Sequence, residues 1–136
     1  MNEIELESRA EQVENPFIRA LRAHPRFDAS SVTRHDSGME AQVPGVAVTA
    51  LQGEERLDHG GDSWGFTLTI TARRNMREDE ALDKDAAAIE YVTTTAMGGD
   101  PNISLLIVEE GIVSVRESEG KVRLFTMELP VLVVFS

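Results

Sequence analysis

The chain has 136 residues, with 24 acidic residues against 13 basic ones, a formal net charge of −11, 41% hydrophobic residues and no cysteine. That length suits one globular domain with its own core, and the missing cysteines exclude disulfide staples and cysteine-held zinc. The acidic balance repels phosphate backbones, which argues against sequence-specific nucleic-acid binding, and aromatic residues at 5% are too sparse for single-strand stacking.

The first 14 residues are charged and weakly periodic, and they read either as a mobile N-terminal segment ahead of one domain over 15–136 or as an earlier helical turn through Glu3 to Val13. The acidic start, Met1-Asn2-Glu3-Ile4-Glu5, lacks the basic n-region of a secretory signal. Asn15-Pro16 supplies a helix start, with Asn as cap and Pro at the first helical position, where its missing donor is harmless. Phe17, Ile18 and Leu21 then share a face, and His24-Pro25 should stop the helix, because the residue before a proline is pushed out of the α region.

Residues 26–42 read as irregular. β-Branched residues resume at Val43 and predict a short strand to Leu51, followed by a polar connector from Gln52 to Ser63. Trp64, Phe66, Leu68, Ile70 and Ala72 alternate with Gly65, Thr67, Thr69, Thr71 and Arg73, so the next strand should bury one face and turn a threonine face to water or a partner.

A helix is predicted from Glu78 to Thr95, with Asn75 as a candidate cap and Glu78, Asp79 and Glu80 in the first turn, where the helix dipole favours negative charge. Leu82, Ala86, Ile89 and Val92 or Thr93 fall at helical spacing, and Gly98-Gly99 should end the element. Two or three strands follow, over Ile103–Val108, Ile112–Arg116 and Lys121–Phe135, with turns at Glu109-Glu110-Gly111 and Ser118-Glu119-Gly120. Pro130 cannot donate to a ladder, so the last strand is expected to be bulged or at an edge there. The order helix, strand, strand, helix, strands predicts an α+β domain, a mostly antiparallel sheet of hairpins packed with two helices.

No catalytic pattern emerges. His35-Asp36-Ser37 contains triad residue types, but neighbours in a loop cannot adopt triad geometry. Asp58-His59-Gly60-Gly61-Asp62 matches neither an EF-hand nor a zinc motif and reads as a solvated turn. Gly60-Gly61 and Gly98-Gly99 lack the features of a phosphate cradle, and Asp83, Asp85, Glu109 and Glu110 read as solvated carboxylates. No catalytic residue, metal or cofactor is expected. The longest apolar run, Leu129 to Phe135, falls far short of the roughly 18 residues that span a bilayer, so no membrane partner is expected either.

Arg73-Arg74-Asn75-Met76-Arg77 is a basic cluster in an acidic chain. It reads either as a surface patch satisfied by Glu78, Asp79 and Glu80 or as a contact with a protein whose surface is acidic, such as a second copy. The apolar, edge-like last strand points the same way, so Arg73, Arg74, Arg77, Phe125, Met127, Leu129 and Val131 are the candidate subunit interface.

An N-terminal helix ending before His24-Pro25, the strand VPGVAVTA, a polar hairpin into SWGFTLTITARR, the helix DKDAAAIEYVTT, and closing strands ISLLIVEEG and VRLFTMELPVLVVF form an ordered set. From about Asn15 to Phe135 this arrangement resembles the tail-terminator, or tail-completion, family of long-tailed phages, the minor tail protein U-like proteins. The resemblance implies a non-catalytic α+β subunit of a phage or prophage tail. It implies assembly as a ring, typically a hexamer, that caps the tail tube and meets the head-proximal neck. The expected location is the virion tail, and the bacterial cytoplasm during assembly. A head-tail connector or other small virion component is the nearest alternative; a small enzyme or ligand-binding domain, using a pocket between the Glu78–Thr95 helix and the sheet, is the more distant one.

Overall fold

Apolar and polar side chains that alternate every second residue can cover only one face of a sheet, and the computed structural model follows that rule closely. It describes residues 3–34, 44–56, 63–95 and 103–135. Helix α1 spans Glu3–Ala23, strand β1 Val32–Arg34, β2 Gly45–Arg56 and β3 Ser63–Asn75; helix α2 spans Asp79–Thr95, and β4 Ile103–Ile107, β5 Val113–Glu119 and β6 Val122–Phe135 complete the fold. The six strands form one sheet in the order β1-β2-β3-β6-β4, with β5 also paired to β6. All pairings are antiparallel except the one between β1 and β2. The fold is α+β, as the order of elements predicts.

Both helices pack on one face. Val46, Val48 and Ala50 of β2, Phe66, Leu68, Ile70 and Ala72 of β3, and Phe125, Met127, Leu129, Val131 and Val133 of β6 are buried there. They meet Val13, Phe17, Ile18 and Leu21 of α1 and Leu82, Ala86, Ile89 and Val92 of α2 in one core cluster. Burying an aliphatic or aromatic side chain of this kind contributes roughly 1.5–3 kcal/mol each, which makes this layer the main source of stability.

Helix α1 starts at Glu3, not at Asn15, and carries Pro16 inside it. The cap reading fails for a tertiary reason. Proline in a helix interior costs about 3 kcal/mol, but extending the helix backwards places Val13 on the stripe of Phe17 and Leu21 and buries all three. Asn15, freed from capping, accepts a hydrogen bond from Nη2 of Arg34. The helix stops at Ala23, just before His24-Pro25, as expected.

Strand β2 runs on through Gln52 to Arg56, where a connector was expected, with a register shift between Gln52 and Glu55. Strand β1, within the stretch that reads as irregular, pairs parallel to β2 from Val32↔Val46 to Arg34↔Val48. Near α2, Asn75 accepts from the backbone N–H of Glu78 through its carbonyl (3.0 Å), and its side-chain amide donates to the Glu78 carboxylate (3.3 Å).

Pro130 sits neither at a bulge nor in an edge strand. β6 lies inside the sheet and pairs with β3 in unbroken register from Asn75↔Val122 to Ser63↔Val134. On its other side β6 pairs with β5 up to Glu128 and with β4 from Val131, so β4 and β5 lie end to end and do not form the expected hairpin. A residue in a strand presents its N–H and C=O to the same side, and the Pro130 carbonyl accepts from Val108 N (2.9 Å) on the β4/β5 side. The missing donor therefore faces the 3-10 turn Glu109–Gly111, where neither strand needs it. Gly111 fits against the ring: a Cβ there would meet Pro130 Cγ at 2.6 Å.

Candidate subunit interface

Consecutive residues of a strand point to opposite faces, and that separates the arginine cluster. Arg74 follows the parity of Ala72 and Ile70 and reaches the helix-covered side. Its Nε donates to Asp85 Oδ2 (2.7 Å), its Nη2 to Asp85 Oδ1 (3.1 Å), and its Nη1 lies 3.4 Å from Glu78 Oε2. From the segment after α1, Arg26 Nε donates to the same Asp85 Oδ1 (2.9 Å) while its Nη2 donates to Ala81 O (3.0 Å). One buried carboxylate thus holds two guanidiniums and ties the segment after α1, β3 and α2 together. The Arg74 pKa is raised above its already high value, first by the hydrogen bond to Asp85, so the side chain stays cationic at any working pH.

Asp85 is the residue that sequence reasoning missed. It was read as solvated, like the exposed Asp83, but it falls three residues after Leu82 and four before Ile89, on the apolar stripe of α2. An acid on a buried stripe requires a cation opposite it, and the Arg73-Arg74 pair is the available signal. A second such lock holds α1: Glu14, buried, accepts from Ala50 N (2.8 Å) and lies 2.6 Å from Arg34 Nε. The carboxylate thereby covers part of the outer edge of β2 just beyond the reach of β1.

The apolar half of the candidate interface is interior. Phe125, Met127, Leu129 and Val131 are at most 3% exposed and belong to the core, so their side chains are spent within one chain. The strand was read as an edge, which would have left them reachable; β3 on one side and the two helices above close them in. A contact through this part of the sheet has to use the opposite face.

That opposite face carries no helix among the described residues. It presents Thr67, Thr69, Thr71 and Arg73 of β3, Leu124, Thr126, Glu128, Leu132 and Val134 of β6, Leu106 of β4, and Val113, Val115, Glu117 and Glu119 of β5. Leu106 is 60% exposed, Val113 50% and Val134 45%. Arg73 on this face and the exposed Arg77 beyond it make no ion pair among the described residues, and neither do Glu117, Glu119 or Glu128.

A cleft of about 270 Å³ opens between α2 and the β5–β6 hairpin, lined by Asp79, Leu82, Asp83, Arg116, Glu117, Ser118 and Arg123. Its cations are already matched, Arg116 with Asp83 and Arg123 with Asp79 (2.6 Å), so an anionic ligand would have to displace a carboxylate of the chain itself. His24 packs its ring near Phe27 and Tyr91 and accepts from Arg26 N through Nδ1 (3.0 Å), which is a structural arrangement. His35-Asp36-Ser37, Asp58–Asp62 and Gly98-Gly99 lie outside the described residues. Among the described residues no three His, Asp or Glu side chains gather to hold a metal, and no helix is long and apolar enough to cross a membrane.

No family model matches the sequence, and no curated protein matches it. The fold, by contrast, is similar to that of a chain in the solved virion of a native gene transfer agent (GTA) particle, with a TM-score of 0.59 at 12% sequence identity. The likeness covers 93% of this chain and 96% of that one.

Proposed function

We propose that this chain is a non-catalytic assembly subunit of a phage-type virion, a tail terminator that closes the tail tube as a ring of like copies and joins it to the neck. The observation that carries the reading is the end-to-end fold likeness to a gene transfer agent virion chain, which leaves almost nothing of either chain outside the shared architecture. Self-association draws support from the helix-free sheet face, with its exposed aliphatic side chains and charges that have no ion pair among the described residues. A ring of chains each carrying −11 would also repel phosphate and let DNA pass without adhering.

Light scattering coupled to size exclusion, over a concentration series at two salt levels, tests the reading. Growth from the monomer toward a closed multiple such as a hexamer is expected, since cyclic closure limits size. A monomer at every concentration, with no binding to isolated tail tubes, would overturn it. Because the likeness is to a chain of a whole virion, a head-side connector subunit is the second reading, and preferential binding to head-side adaptor over tail tube would favour it.

A further inference from the structure

The two edges of the sheet are finished differently. At one, β1 and the Glu14 carboxylate occupy part of the β2 edge. At the other, β5 is exposed along its whole length, and its outer side has no strand partner among the described residues. Edge strands are ordinarily protected by proline, charged side chains, a bulge or a covering element; Val113–Glu119 contains no proline, keeps regular register with β6, and carries its charges, Arg116, Glu117 and Glu119, after the stretch 113–115. On the open face this edge presents Val113 and Val115, 50% and 41% exposed, bracketed by Glu117, Glu119 and, across the strand pair from Val113, Glu128.

The same chain carries the complement. At the β3–α2 corner, Arg73 and Arg77 flank Met76, which is 44% exposed. The corner is held in shape before any contact: Met76 N donates to Lys121 O (3.0 Å), Arg123 Nε donates to Met76 O (3.3 Å), and Glu78 N donates to Asn75 O (3.0 Å). A preorganised patch loses little freedom on binding. Within one chain the two patches do not meet. Arg73 pairs across β3–β6 with Leu124, and Leu124 across β6–β5 with Glu117, so two strand spacings, about 10 Å, separate their backbones.

We infer that the β5 edge of one copy receives the β3–α2 corner of a second copy, with Met76 against Val113 and Val115 and with Arg73 and Arg77 answering Glu117, Glu119 and Glu128. Two chains of charge −11 repel each other overall, so their association requires a local match, and among the described residues these two patches supply opposite charge around an apolar centre. The inference rests on the self-association proposed above and names the contact that produces it.

A charge exchange tests it. Arg73→Glu with Arg77→Glu in one variant, and Glu117→Arg with Glu119→Arg in another, each set like charges against each other, and each is expected to weaken self-association at least tenfold by light scattering. Mixed in equal amounts, the two variants present opposite charges at every contact between unlike chains, and the wild-type mass should return. Circular dichroism melts matching wild type would show both variants folded. A wild-type-like mass for either variant alone, or folded variants that stay apart when mixed, would overturn this contact while leaving self-association standing. A wild-type chain that is monomeric at every concentration and does not bind isolated tail tubes would overturn both.

Discussion

Arg73 and Arg74 are neighbours in the chain and differ in every physical respect that matters here. Arg74 lies on the covered face, locked to Asp85 and near Glu78, while Arg73 lies on the open face with no ion pair among the described residues. The whole sheet repeats this contrast. Leu68 is fully buried beneath the helices, and Thr69, one residue on, belongs to the open face. Strand geometry sets the alternation, but only the helices give the two faces different roles. One face holds the fold together, and the other carries no helix among the described residues.

Substitutions that cross the sheet sharpen the contrast. Leu68→Ala removes a fully buried side chain and is expected to cost about 3 kcal/mol in urea unfolding. Thr69→Ala should stay within about 0.5 kcal/mol. Equal losses at the two positions would break the division into a stabilising and an available face. Asp85→Ala leaves Arg26 and Arg74 without their shared carboxylate; both guanidiniums are partly hydrated, so the expected loss is about 2–3 kcal/mol, below that for a fully buried pair. If unfolding were unchanged, the network would not be a lock between the segment after α1, β3 and α2.

The edges can be compared in the same way. Glu14→Ala strips the acceptor from Ala50 N and the anion from Arg34, with an expected loss of about 1–2 kcal/mol and faster amide exchange at Ala50. Gly111→Ala drives a methyl into the Pro130 ring and should destabilise by about 1–2 kcal/mol, visible as a lowered melting temperature. Gly120, at a φ of 62° in the β5–β6 turn, has open space around it, so Gly120→Ala should cost only about 1 kcal/mol for backbone strain. At the small end, Arg73→Ala should leave unfolding within about 0.5 kcal/mol of wild type while reducing self-association. A large stability change there would place Arg73 in the fold instead of at its surface.

Much of the architecture was legible because period 2 and period 3.6 are strong patterns. Trp64 to Arg73 announced a two-faced strand, and the spacing of Leu82, Ala86, Ile89 and Val92 announced α2; both hold. Three residues misled in instructive ways. Asn15-Pro16 carries a helix-start signal, but local capping is worth less than the burial of Val13 and the lock at Glu14. Pro130 suggested an edge, but a strand can be interior and still lack a donor where two partners abut. Asp85 looked like one more surface acid until its helical phase was matched with arginines distant in sequence.

By itself, then, the sequence determined the fold class, the stretch of both helices nearest their apolar stripes, and which strand residues share a face, because these follow from local geometry and side-chain periodicity. Which face the helices cover, which strands lie side by side, and which arginines are locked to Asp85 were decided only in three dimensions. Strand pairing and buried ion pairs join residues such as Arg26 and Asp85, or Glu14 and Ala50, that are far apart along the chain, and no local pattern encodes those meetings.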